Sequence, residues 1–239
     1  MERYGLRVCL FGVAVVLVGV PFGLLLAQVS TAGRFTELDS HLARWLNERV
    51  ADHPALVGLL RFVTFLGQPV WLIIVVGLPV VWLLIRRDRV HNRKLVTFLT
   101  VTGIGGGLVD TLVKIIVARP RPVVGNPLIT VAGKSFPSGH AMGSTICYGA
   151  LLLAFLPLAA PRWRRWIVGL VVLLVLLIGL SRLALGVHFL SDVLGGLVLG
   201  MAWLAASVAA FEAWRIERGR PTTRPLRGGV EPEELGPAP

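Results

Sequence analysis

The chain alternates long apolar runs with short charged ones. About 20 apolar residues let an α-helix cross the hydrocarbon core of a bilayer. The pattern predicts six such spans, at about 6–28, 69–85, 95–117, 141–158, 166–186 and 189–211. The first follows Arg3 and Arg7, and its apolar run outlasts a secretory h-region. "LLLAQVSTAG" offers no small-x-small cleavage site, so this span reads as a retained anchor.

A different pattern separates the first two spans. "RFTELDSHLARWLNERV" places Phe35, Leu38, Leu42, Trp45, Leu46 and Val50 near one helical face, with charges opposite, as in a helix lying in the membrane interface. "PALVGLLRFVTFLG" is short and carries Arg61, which suits a re-entrant or interfacial segment. Packing of 34–66 under the protein's own rim is the alternative. The fold class expected is all-α: a polytopic membrane helical bundle of six transmembrane helices, with an interfacial helix between spans one and two. One domain covers 1–215, and the Pro-, Gly- and charge-rich stretch 216–239 reads as a disordered cytoplasmic tail. Glycines at 103, 105, 106, 107, 195, 196 and 200 suit close helix packing in lipid.

Composition agrees. Of 239 residues 55% are hydrophobic and only 15% charged, with mean hydropathy +0.76, too little polar residue for a soluble domain of this size. Lys and Arg number 24 against 13 Asp and Glu. No Lys/Arg-rich block is interleaved with aromatics, which argues against nucleic-acid binding. The basic residues gather instead at 3–7, 86–94, 162–165 and 215–227. By the positive-inside rule those loops and both termini are cytoplasmic, and 29–68, 118–138 and 186–188 face outward from the cell membrane. Cys9 and Cys147 fall inside apolar runs and read as small hydrophobes.

Three clusters place charge where charge is costly. In "KIIVARPRP", Lys114 lies near the end of span three, with Asp110 one turn earlier and Arg121-Pro122 just beyond. An intrahelical Asp110–Lys114 pair with snorkelling arginines is the simpler reading of this stretch alone. In "PSGH", Ser138 suits the N-cap of span four, Gly139 permits close approach, and the free N–H groups of a helix start favour anions. In "SRLALGVHFLSD", Arg182 precedes His188 and Asp192, whose i, i+4 spacing at the start of span six puts them on one helical face. That carboxylate can hold one ring nitrogen while the other stays free to react. All three clusters fall on the outward side. Together they assemble three cations, a helix N-terminus and two histidines, which is the chemistry of an oxyanion site.

Arginine forks and a lysine match phosphoryl oxygens. Asp110 and Asp192 are the only acids inside the spans, too few to hold magnesium, so the reading needs no metal and no cofactor. A histidine nucleophile replaces a metal-bound hydroxide. Held by Asp192, His188 attacks as neutral imidazole, giving a phosphohistidine that water then cleaves. His140 protonates the leaving oxygen and later acts as base toward water, and Ser138 with the Gly139 N–H supports the equatorial oxygens.

These clusters resemble the signature of the type 2 phosphatidic acid phosphatases, or lipid phosphate phosphatases, whose site is shared with the vanadium haloperoxidases. K-x6-RP, PSGH and SR-x5-H-x3-D are all filled in order, by Lys114…Arg121-Pro122, Pro137–His140 and Ser181-Arg182…His188…Asp192, covering roughly 110–192. The resemblance implies an all-helical core, His188 as nucleophile, His140 as acid/base and Asp192 as the orienting carboxylate. It implies that Lys114, Arg121, Ser138, Gly139 and Arg182 hold the phosphate. It further implies a metal-independent phosphatase whose partners are a lipid phosphate or diphosphate substrate and the membrane lipids themselves. Arg119 lies outside the signature and reads as a snorkelling residue, or as a contact to a second phosphate or headgroup. An outward site suits a polyprenyl diphosphate, with phosphatidic acid or phosphatidylglycerophosphate as the alternative. Six apolar spans argue against a soluble haloperoxidase. Charges clustered at one rim, away from the midplane, argue against a transporter or a lipid-binding module.

Overall fold

The computed structural model describes residues 34–85, 89–125 and 128–217, with single positions at 23, 222, 223, 225, 229 and 230. The expected first span, 6–28, therefore lies outside the described residues, position 23 apart. Over the described residues the chain is helical, with no strand. The helices are α1 (Arg34–Ala51), α2 (Pro54–Phe65), α3 (Pro69–Ile85), α4 (Arg89–Val117), α5 (Gly139–Phe155), α6 (Pro161–Ala184) and α7 (Leu190–Glu217), with a 3-10 turn at Leu156–Leu158 after α5. Prolines open α2, α3 and α6, where the missing N–H costs nothing.

Among the described residues, four helices are long and apolar enough to cross a membrane: α4 from Asn92, α5 with its 3-10 extension, α6 and α7. They correspond to expected spans three to six. The expected second span, α3, and the short segment before it, α2, meet at a 47° bend and make a fifth candidate if taken as one broken span. The protein is thus an all-helical membrane bundle, with four or five candidate crossings where six were expected along the whole chain.

Apolar on nearly every side, α5 sits at the centre, against α7, α4, α6 and α3. Small residues on α7 let it approach closely: a Cβ at Gly196 would lie 2.6 Å from the Ser138 carbonyl oxygen, and one at Gly200 3.0 Å from that of Met142. Gly103 and Gly107 were expected to pack likewise but meet nothing; they line an open groove instead. At one end of the bundle Leu83, Leu95, Phe98, Leu99, Leu153 and Ala154 form the main apolar core. Most of the expected tail lies outside the described residues; of those described, Val230 is buried in this core and donates its N–H to the Leu153 carbonyl at 3.0 Å.

The apolar face of α1 is only partly covered by the rest of the protein. Leu42, Ala43 and Leu46 pack on Leu183 and Phe189, and Val50 packs on Ala184 and Val57, whereas Leu38 and Trp45 are exposed. The helix lies against the protein's own rim, beside the α6–α7 junction.

Candidate active site

At the other end of the bundle the ends of α4 and α6 meet the starts of α5 and α7. A cavity of about 800 Å³ opens there, lined by Lys114, Arg121, Gly139, His140, Arg182 and His188 among others. Those six were named from the sequence, and the fold gathers them although up to 74 positions separate them. Ser138 and Asp192 stand directly behind this wall, both fully buried.

Lys114, in the last turn of α4, pairs with Asp110 at 2.5 Å, the intrahelical ion pair that the spacing suggested, yet both line the cavity. Opposite them, a Cβ on Gly139 would lie 2.7 Å from Lys114 Nζ and 3.2 Å from Asp110 Oδ2, so this glycine is the room the ammonium occupies. The α4 helix ends at Ala118, held in the left-handed region (φ 51°). Beyond it the segment runs extended through Pro120 and Pro122. Its two arginines diverge. Arg121 turns to the cavity and is fixed by the carbonyls of Val187 (2.8 Å), Gly133 (3.1 Å), Ala132 (3.2 Å) and Lys134 (3.3 Å). Arg119 turns away. It is neither snorkelling nor lining the cavity: it is 7% exposed and paired with Asp192 at 2.6 Å and Asp39 at 3.2 Å.

Ser138 is at the N-cap of α5 as expected, but its hydroxyl makes no capping bond. The side-chain oxygen is buried without a hydrogen-bond partner, while the backbone N–H donates to the Asp192 carbonyl at 2.9 Å. His140, in the first turn of α5, likewise buries Nε2 with no partner. Arg182 donates from one terminal nitrogen to Thr64 Oγ1 at 2.8 Å and leaves Nε unused. Among the described residues neither Arg121 nor Arg182 makes an ion pair, so their charge is directed at the cavity.

His188 and Asp192 do not share a helical face. His188 lies in the turn before α7, and only Asp192 is helical. The contact forms across that junction, with Nδ1 3.4 Å from Asp192 Oδ2. The same oxygen accepts the Phe189 N–H at 2.9 Å and a short hydrogen bond from the Ser135 hydroxyl. On the far side of the ring, Arg121 approaches Nε2 at 3.2 Å. A guanidinium only donates, so Nε2 carries the lone pair and the ring proton belongs on Nδ1, facing Asp192. Burial pushes the imidazole down to about 4 against the pull of Asp192, with Arg182 and Arg121 lowering it further. His188 is therefore neutral near pH 7, with its Nε2 electron pair facing the Arg121 guanidinium in a cationic cavity.

The motifs did not reveal Asp39, Thr64 or Ser135. Ser135 stands three residues before the PSGH serine, a usable signal; Asp39 and Thr64 sit in α1 and α2, with nothing local to mark them. Among the described residues no three His, Cys, Asp or Glu side chains cluster as a metal site.

Away from the polar groups the cavity continues as a groove between α3 and α4, lined by Leu72, Ile73, Val76, Val80 and Ile104. Ile73 and Ile104 are 71% and 62% exposed, so this groove opens toward lipid.

A family model described as the PAP2 superfamily matches residues 94–216, a stretch holding all eight motif-derived site residues. Phosphatidylglycerophosphatase B of Bacillus subtilis (strain 168) is 35% identical over 97 residues, 39% of this chain and 47% of that protein. Undecaprenyl-diphosphatase BcrC of the same organism is 31% identical over 125 residues, 51% of this chain and 58% of the relative. An undecaprenyl-diphosphatase of Sulfolobus acidocaldarius is 31% identical over 154 residues, 62% of this chain and 66% of the relative. The chain thus spans about half to two thirds of the length of these curated relatives. The crystal structure of a transmembrane PAP2 type phosphatidylglycerolphosphate phosphatase from Bacillus subtilis superposes with a TM-score of 0.71 at 24% identity, over 83% of this chain and 96% of that one. Aquifex aeolicus LpxE superposes with a TM-score of 0.54 at 24% identity, over 70% and 93%.

Proposed function

The chain belongs to the PAP2 superfamily, and from that premise we propose that it is a membrane phosphatase that hydrolyses a lipid phosphate or diphosphate through a phosphohistidine. The observation that carries the proposal is the His188 ring, its Nδ1 turned to buried Asp192 and its Nε2 in a cavity with Lys114, Arg121 and Arg182.

In this reading the phosphoryl group takes its oxygens to the three cations and to the unused Ser138 hydroxyl and Gly139 N–H. Nε2 attacks phosphorus in line with the lipid oxygen. The P–O bond breaks, and His140 donates its proton to the leaving alcohol or phosphate. Asp192 balances the positive charge that grows on the His188 ring. A water, deprotonated by His140, then cleaves the P–N bond, releasing phosphate and restoring His188.

The apolar groove supports a lipid substrate, since it continues directly from the cationic pocket between α3 and α4. A fourth cation, Lys134, stands at the exposed rim of the same cavity, which favours a diphosphate over a monoester. We favour a polyprenyl diphosphate, the substrate class for which two of the relatives are named. A phosphoglycerolipid monoester, as the name of the third suggests, is the second reading. The cationic loops at the opposite end of the bundle support a site on the outer face and both termini in the cytoplasm.

Phosphate release by the purified protein, with a polyprenyl diphosphate, phosphatidic acid, phosphatidylglycerophosphate and a soluble monoester, tests the reading. Release is expected from the lipid diphosphate first, persists in EDTA and disappears in His188→Ala. Undiminished activity of His188→Ala overturns the nucleophile, and loss in EDTA overturns the metal-free chemistry. A cysteine at Val123 is expected to be labelled from outside intact cells and one at Arg93 not; the reverse overturns the orientation.

A further inference from the structure

We infer that Arg119, held by Asp39 of α1, is the positioning residue that keeps Asp192 ionised and aimed at His188, so that α1 is part of the working site. The inference rests on the phosphohistidine reading above. Asp192 is fully buried, and an unpaired carboxylate there is costly. Its two oxygens have separate tasks. Oδ2 serves His188 Nδ1, the Ser135 hydroxyl and the Phe189 N–H. Oδ1 receives the Arg119 guanidinium at 2.6 Å. Among the described ion pairs, Arg119 is the one permanent cation paired with Asp192.

Arg119 is itself held on every side. One nitrogen donates to Ser191 Oγ at 2.7 Å and the other to Asp39 Oδ2 at 3.2 Å. Its guanidinium carbon lies 4.0 Å from the centre of the Phe189 ring, which is packed against Ala43, Leu42 and Leu46. Asp39 also receives the Ser191 N–H at 3.1 Å and its hydroxyl, tying the start of α7 to α1. The Arg119 carbonyl accepts the Ser135 N–H at 2.9 Å, which places the hydroxyl that reaches Asp192. Two residues apart, the arginines of "RPRP" thus divide the work: Arg121 faces the anion, and Arg119 sets the carboxylate behind the nucleophile.

The test separates positioning from anion binding. The charged groups around His188 and Asp192 are Arg119, Arg121 and Lys134 from the loop, Arg182 from α6, Lys114 and Asp110 from α4, His140 from α5 and Asp39 from α1. Removing Arg119 takes one positive charge from beside the pair and leaves the four cavity cations, Lys114, Arg121, Lys134 and Arg182, in place. Arg119→Gln is expected to lower kcat about 30-fold, the scale of one charge-assisted hydrogen bond, with vanadate inhibition and KM within about twofold. Its acid limb of kcat/KM moves to higher pH, because the pair binds its proton more readily once the guanidinium is gone. Arg119→Lys restores part of kcat and shifts the limb back. Asp39→Asn loosens the guanidinium but leaves it in place, so it gives a smaller kcat loss, again with vanadate inhibition kept. Equal losses of kcat and vanadate affinity would make Arg119 an anion ligand or a purely structural residue. An unmoved acid limb in Arg119→Gln would overturn the inference. With His188→Ala run beside them, activity surviving that variant indicts the phosphohistidine reading; activity lost there, with the Arg119→Gln acid limb unmoved, indicts this inference alone.

Discussion

The two ends of this bundle are held together by different physics. Around Leu83, Phe98, Leu99 and Leu153, apolar side chains fill space, and attraction there has no direction. Around Asp192, nearly every contact is a hydrogen bond or ion pair with a stated donor and acceptor. The apolar end can exchange one hydrophobe for another of similar volume. The polar end cannot exchange a group without stranding its partner in a buried place. Among the described residues at this end, Ser138 Oγ, His140 Nε2 and Arg182 Nε lack partners, which suits a site that completes its bonding with a ligand.

The strongest way to break the contrast is to exchange His188. His188→Ala is expected to reduce kcat by at least about 10⁴-fold, while its thermal midpoint stays near that of the parent. A collapse of both together would mean that the polar end also carries the stability of the bundle. Next comes Arg182→Ala, expected to cost about 10² to 10³ in kcat. Thr64→Val, which removes only the acceptor that holds Arg182 at 2.8 Å, should cost about tenfold or less by loosening the fork.

The apolar end should answer in the opposite currency. Leu153→Ala is expected to lower unfolding free energy by about 2 kcal/mol or more and to leave kcat unchanged, as measured by denaturation beside turnover. A kcat loss as large as that of Arg182→Ala would show the two ends to be coupled.

A pH series sharpens the comparison further. Burial holds His188 at about 4, below its ordinary 6.5. The unfolded chain therefore binds more protons than the folded one between those values, and the His188 contribution to stability falls as pH drops from 6.5 toward 4. Thermal midpoints should decline over that window in the parent and decline less in His188→Asn. Equal slopes would mean that the imidazole is not buried neutral. The smallest effect is expected at Ala118, whose φ of 51° is disfavoured for any side chain: Ala118→Gly should stabilise by about 1 kcal/mol or less, with activity retained.

Several features of this protein were open to reading from sequence because they follow from local rules. A long apolar run must form a helix in lipid, since no water is there to satisfy its backbone. Hence α4 to α7 were legible, with only their ends displaced. The spacing of Lys114, Arg121, Ser138, Gly139, His140, Arg182, His188 and Asp192 marked chemistry because charge near apolar spans needs a reason. The rest depended on what the fold brings together. Helical periodicity put His188 and Asp192 on one face, but the turn before α7 makes their contact instead. Hydropathy read α1 as one apolar stripe, yet a rim-packed helix is partly covered by its own protein and partly bare. Arg119 and Arg121 look equivalent in "RPRP", and only their surroundings distinguish them: one finds two carboxylates from distant helices, the other an open cavity. Such roles are set by partners 73 and 80 positions away, and no local pattern can name a partner that the chain must fold to reach.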